Sequence, residues 1–166
     1  MLTERKPKEG EEAEEVATEL ARAQLLFAFA IAIGFAVDEQ IERMEVHYLA
    51  NQDGDLYFAL LSDWVDSATQ SAPTDDELLK AAADGIARLN RRYGPAPGGP
   101  RFYLLHRKRM WNEGQGKWIG WERKRGKLHE LNRWLRGAND TTFIAINGAL
   151  SLAPPEVRYV ITLDAD

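Results

Sequence analysis

The chain has 166 residues, enough for one domain with a buried core, and a hydrophobic fraction of 45% with five tryptophans marks it as globular. It has no cysteine, which excludes a disulfide framework and a thiolate metal site and fits a reducing compartment. The net charge is −5, yet Arg101 to Arg136 holds 11 Lys and Arg against 3 Glu, while the rest of the chain carries 10 basic and 23 acidic residues. A basic span on an acidic chain points to an anionic ligand rather than to general attraction for nucleic acid or membrane.

Residues 1–15 are almost all charged or small and read as a frayed tail entering a helix over about Glu12 to Gln24. The next run, Leu25 to Val37, is LLFAFAIAIGFAV. Its 13 apolar residues fall short of the about 20 that a spanning helix needs. Phe27, Phe29, Ile31 and Ile33 alternate with Ala28, Ala30 and Ala32, as in a parallel strand covered on both faces. The alanines leave a core helix open, and the apolarity leaves a membrane remnant open.

Asp38 is placed to cap a helix that carries Ile41, Met44 and Tyr48 and ends near Asn51. The turn NQDGD then releases a strand over Leu56 to Leu61, with Asp63, Trp64 and Asp66 at its exit. Thr74 or Asp75 caps the next helix, which puts Leu78, Leu79, Ala82, Ile86 and Leu89 on one face and ends near Arg92. After the breaker GPAPGGP, a strand is predicted from Phe102 to Arg109, and Trp111 to Trp118 reads as an exposed loop or hairpin. A helix from about Arg123 to Arg136, ended by Gly137, precedes a mixed stretch with a short ordered piece near Phe143. The last strand is Val157 to Leu163. Alternating strands and helices predict an α/β fold, a mostly parallel sheet flanked by helices.

Several residues are candidates for chemistry. Asp164 and Asp166, two apart on an extended chain, point to one side and suit a hard cation such as Mg²⁺ or Mn²⁺, which could bridge two phosphates. The bland alternative is ordinary turn chemistry at a strand end. Lys124, Gly126, Lys127 and Asn132, beside a helix start, suit phosphate oxygens, against the alternative of a solvated helix face. Asp63 is placed either to accept hydrogen bonds from a base or ribose or merely to cap a loop. Trp111, Trp118 and Trp121 can stack on sugars or bases, or simply pack on one another. His47, His106 and His129 lack metal-ligand spacing and read as solvent-facing or hydrogen-bonded structural residues.

The runs HYLANQDGDLYFALLSDW, RFYLLHRKRMWNEGQGKWIGWERKRGKLHELNRWLRGANDTTF and VRYVITLDAD resemble the glycosyltransferase domain of bacterial cyclic β-1,2-glucan synthases over about Glu39 to Asp166. That resemblance implies an A-type glycosyltransferase fold, here incomplete, in which a Lys-x-Gly-x-Leu segment and a DxD contact the nucleotide diphosphate and its metal. Lys124, Gly126 and Leu128 match the first, with Asn132 just beyond; Asp164 and Asp166 match the second, and Asp63 resembles the acid near the nucleoside. It implies UDP-glucose as donor, Mg²⁺ or Mn²⁺ as cofactor, a growing glucan as acceptor, inversion at the donor carbon and a general base beyond Asp166, so that the chain alone would be inactive. The parent proteins lie in the bacterial inner membrane with this domain on the cytoplasmic face; the chain itself would be a soluble fragment binding no nucleic acid. Residues 1–37, an acidic tail and an apolar segment, match the family poorly and lack its Pro-Thr pair, which leaves 38–166 as the nucleotide-sugar-binding half. The competing reading is a non-enzymatic nucleic-acid-binding module built on the basic, Trp-containing span.

Overall fold

The computed structural model describes residues 24–33, 36–52 and 55–164. In chain order these form β1 (Gln24–Ile33), α1 (Val37–Ala50), β2 (Leu56–Trp64), α2 (Asp75–Tyr93), β3 (Phe102–Arg107), β4 (Met110–Asn112), β5 (Lys117–Ile119), α3 (Arg123–Leu135) and β6 (Val157–Asp164). The main sheet has the order β3-β2-β1-β6 and every pairing in it is parallel; β4 and β5 form a separate antiparallel hairpin. The predicted α/β architecture is therefore present.

The apolar run forms a strand over its described part, Gln24–Ile33, rather than a core helix or a membrane remnant, and that strand pairs on both sides, with β2 and with β6. Its large-small alternation has a direct structural use. Phe27 is in register with Phe58 and Phe58 with Phe102, and the rings stack across the three strands at centroid distances of 5.2 and 5.5 Å. That face receives Val37, Ile41 and Met44 of α1 and Ala82, Ile86 and Leu89 of α2. The opposite face presents the small Ala28 and Ala59 and receives Leu131 and Trp134 of α3. Alternate residues of each strand thus serve two different helix layers.

Two strand boundaries differ from the sequence pattern at polar residues. β2 extends through Ser62 and Asp63 to Trp64, all buried, because β3 supplies partners for both polar side chains. β3 stops at Arg107 rather than Arg109, and its outer edge is met by the 142–144 segment, through Arg107 paired with Phe143 and the Ile144 N–H donating to the His106 carbonyl at 2.8 Å. The ordered piece near Phe143 is this edge cover. Asp38 does not cap α1; the helix begins one residue earlier, and Asp38 sits in its first turn, where a carboxylate favours the helix dipole. Thr74 holds the N-cap position of α2 without a side-chain bond, while Asp75 accepts from the Ala72 N–H at 2.8 Å. Gln24 opens β1 instead of closing a helix, and the rest of that predicted helix lies outside the described residues.

His106 of β3 is fully buried, with Nδ1 2.9 Å from Ser62 Oγ, Trp64 edge-on at 4.2 Å and Nε2 without a hydrogen-bond partner. Burial pushes its pKa down to about 3, against the opposing pull of Asp63 and Asp75. The folded chain therefore keeps this ring neutral while the unfolded chain protonates it near 6.5. Its contribution to stability is present above pH 6.5 and is lost as pH falls toward 3. Between pH 7 and 4.5 wild type should lose about 2 to 3 kcal/mol more than His106→Gln. Urea unfolding of both proteins at the two pH values checks this, and equal losses would contradict it.

Candidate functional site

At the carboxyl end of β3 a single guanidinium ties three elements together. Arg107 is fully buried; its Nη2 donates to Asp63 of β2 at 2.7 Å and to the Arg123 carbonyl at 3.0 Å. Its Nη1 donates to Glu130 of α3 at 3.0 Å and to the Trp121 carbonyl at 2.9 Å. Lys127 Nζ reaches the other Asp63 oxygen at 3.0 Å. Glu130 in turn accepts from the backbone N–H and the hydroxyl of Thr142, both at 2.6 Å, which fixes the strip covering β3. Two buried cations thus face two buried anions with most polar atoms satisfied, the condition under which buried charge is tolerated.

Two glycines make room for this cluster. A Cβ on Gly120 would stand 2.2 Å from Asp63 Oδ2, and one on Gly126 would stand 1.9 Å from the Trp121 carbonyl oxygen. The close approach that Gly126 permits is therefore to the chain's own backbone and to Arg107. Both oxygens of Asp63, read from sequence as a base or ribose acceptor or a loop cap, are engaged by Arg107 and Lys127. Arg107 and Glu130 were not singled out from the sequence. The available signal was a charged residue closing the apolar strand FYLLHR and a glutamate inside a basic helix.

The first turn of α3 contains Arg123, Lys124, Arg125 and Gly126, followed by Lys127, and no acid. Glu122 and Arg123 enter it with φ of 51° and 46°. Cations at the positive end of a helix dipole are unfavourable unless an anion offsets them. Lys124 and Asn132 are exposed, whereas Lys127 is buried on Asp63.

Much of the basic span is answered internally. Arg109 pairs with Asp75, Arg123 with Asp66 at 2.9 Å, Arg125 with Glu122 at 3.6 Å and Arg133 with Asp140 at 2.5 Å, besides the pairs of Arg107 and Lys127. Burial works against ionisation of Asp75, but the Arg109 and Ala72 hydrogen bonds outweigh it and hold the carboxyl below its usual range.

Asp164 closes β6, its backbone in register with Ala30 of β1, while Asp63 of β2 is in register with Ala32. β2 and β6 flank β1, so the two acid-bearing strand ends are two strand spacings apart, about 10 Å. The strand order turns back at β1, and crevices at such a point, outside the carboxyl ends, are where α/β sheets bind ligands. Asp166 lies outside the described residues. Trp111 and Trp118 face each other across the hairpin with centroids 5.8 Å apart, and Trp121, 46% exposed, lies against His129 just before α3.

No family model matches the chain. It is 52% identical, over 146 residues and 88% of its length, to the cyclic β-(1,2)-glucan synthase NdvB of Rhizobium meliloti (strain 1021), and it spans 5% of that protein. A match of 146 residues cannot fit between Glu39 and Asp166, so it takes in part of the segment upstream of Glu39.

The cluster makes two demands on sequence. Arg107→Met should cost about 3 to 5 kcal/mol in urea unfolding, since Asp63 and Glu130 stay buried with their shared cation gone. Arg107→Lys should recover only part of this, because one ammonium cannot replace a fork serving two carboxylates and two carbonyls. Gly126→Ala should lower the unfolding midpoint as well, by displacing the first turn of α3; an unchanged midpoint would show that the turn has slack.

Proposed function

The chain belongs with the cyclic β-(1,2)-glucan synthases as a short segment by length, and from that kinship we propose that it forms the donor-binding part of their glucosyltransferase. The donor is UDP-glucose, and the acceptor a growing glucan. The observation that carries this reading is the cationic first turn of α3, set at the same end of the sheet as the close of β6.

That turn breaks a local rule: it gathers positive side chains where the backbone N–H groups already concentrate positive charge. Asp66 and Glu122 offset Arg123 and Arg125 from the side, and a pyrophosphate beside the turn would add to that compensation. Lys124, exposed in that turn, contacts the diphosphate. Asn132, on the exposed side of α3, lines the approach, and Gly126 keeps the turn seated on Arg107. Asp63 acts at the nucleoside side by fixing Lys127.

The donor set at the end of β6 is carboxylate oxygen, which suits Mg²⁺ or Mn²⁺, held by Asp164 and Asp166. When bound, such a cation offsets the charge that develops on the departing diphosphate. Transfer breaks the bond between the anomeric carbon and the diphosphate oxygen and joins that carbon, with inversion, to an acceptor hydroxyl that gives up its proton to a base. The setting we propose is the cytoplasmic face of the inner membrane; among the described residues no helix is long and apolar enough to cross a membrane.

The nucleic-acid reading is disfavoured by the internal pairing of Arg107, Arg109, Arg123, Arg125, Lys127 and Arg133, which leaves much less positive charge for a phosphate backbone than composition suggests. Donor binding is tested by saturation-transfer NMR with UDP and Mn²⁺-free Mg²⁺ buffer, together with thermal unfolding. UDP at 100 times its dissociation constant should stabilise the chain by about 2.7 kcal/mol. Lys124→Ala and Asp164→Ala should each lose both signals; wild-type-like signals from both variants would sink the site.

A further inference from the structure

We propose that the β4–β5 hairpin is a binding surface for a neutral glucan chain, with the exposed indole of Trp111 as its stacking face and Trp118 as the ring that supports it. The inference rests on the glucan-synthase reading for the identity of its ligand.

A hairpin with three residues in each strand is too small to hold itself together in water. This one is anchored from outside. The Trp118 N–H donates to the Ser67 carbonyl and the Ser67 N–H to the Trp118 carbonyl, both at 2.9 Å, so a single bridge to the loop after β2 anchors β5. At the tip, Arg123 Nη2 donates to Gln115 Oε1 at 3.3 Å and to Asp66 Oδ2 at 2.9 Å, tying hairpin, loop and the start of α3 together. Arg109 holds the same loop by donating from Nε to the Val65 carbonyl at 2.9 Å.

What this anchoring holds in place is apolar and open. Trp111 is 50% exposed and Met110 40%, against a cross-strand partner, Trp118, that is only partly exposed. A hairpin whose purpose was packing would turn its largest ring inward; here the ring is fixed by Trp118 at 5.8 Å and left facing water.

The chemistry around the ring selects the ligand. The tip carries Asn112 and Gln115, whose amide oxygens already accept from the Gln115 N–H at 2.9 Å and from Arg123 at 3.3 Å and whose amide N–H groups can donate to hydroxyls, together with Glu113 and Lys117 of opposite sign. Arg123 beside it is occupied by Asp66. An aromatic face with amides and no net charge fits the C–H face and hydroxyl rim of a pyranose, whereas a nucleic acid would need unpaired cations along its backbone. Because β4 leaves β3 at the carboxyl end of the sheet, the surface lies at the end that bears the donor site, where an acceptor chain has to enter.

The test is a titration of the full chain with β-1,2-linked glucose oligomers, followed by tryptophan fluorescence. Wild type should show a saturable change that survives in Asp164→Ala, which separates this surface from the donor site. Trp111→Ala should bind about tenfold more weakly. Trp111→Phe should restore most of the affinity, and both variants should keep the wild-type urea midpoint and UDP signals. Saturable binding that is unchanged in Trp111→Ala, or no binding in wild type, would overturn the proposal. So would tighter binding of oligouridylate with a steep salt dependence.

Discussion

The Arg107 guanidinium is the constraint from which the rest of the site follows. It donates to carboxylates on a strand and on a helix and to two carbonyls in the segment that leads into that helix. The entry into α3 runs through two non-glycine residues with positive φ, a course that extended or helical preference alone would not produce. Donation to the carbonyls on either side of Glu122 holds that course. The same guanidinium neutralises Glu130, whose remaining capacity is used on Thr142 and so covers the edge of β3. One buried charge therefore aligns the start of a helix, closes a sheet edge and compensates the acid at the end of β2.

Stability alone does not account for the charge placed in this region. Burial of two cations and two anions contributes little net stability over well-packed apolar residues, and the cations of the first turn of α3 need Asp66 and Glu122 to offset the helix dipole. The arrangement makes physical sense when judged by what it presents. It fixes the side chains in place, and under the proposed donor-binding reading a diphosphate would need little rearrangement to bind. The hairpin follows the same logic: three side-chain and backbone ties immobilise a pair of strands too short to persist alone.

The internal pairing also changes what net charge means here. Counted along the chain, the span from Arg101 to Arg136 is strongly basic. Folded, its arginines meet Asp63, Asp66, Asp75 and Asp140, which lie outside that span, and so much of the surplus is spent within the molecule. Linear charge counts overlook such compensation because three of these four ion pairs join residues dozens of positions apart.

Sequence alone determined the alternation of strands and helices and the extent of α3, since each rests on local periodicity or on turn residues; it left the LLFAFAIAI run open between strand, helix and membrane remnant and the Trp111–Trp118 segment between loop and hairpin, which pairing with neighbouring strands decided. It also carried the family resemblance, which depends on the order of residues rather than on their contacts. Tertiary structure alone decided where β2 and β3 end, because Ser62 and Asp63 are tolerated inside only when His106, Arg107 and Lys127 arrive from elsewhere in the chain. It likewise decided that Gly126 makes room for backbone and that Arg107, unremarkable among so many basic residues, is the one on which the site is hung. The physical reason is the same in each case: burial of a polar group is settled by its partners, and partners distant in sequence exist only once the chain has folded.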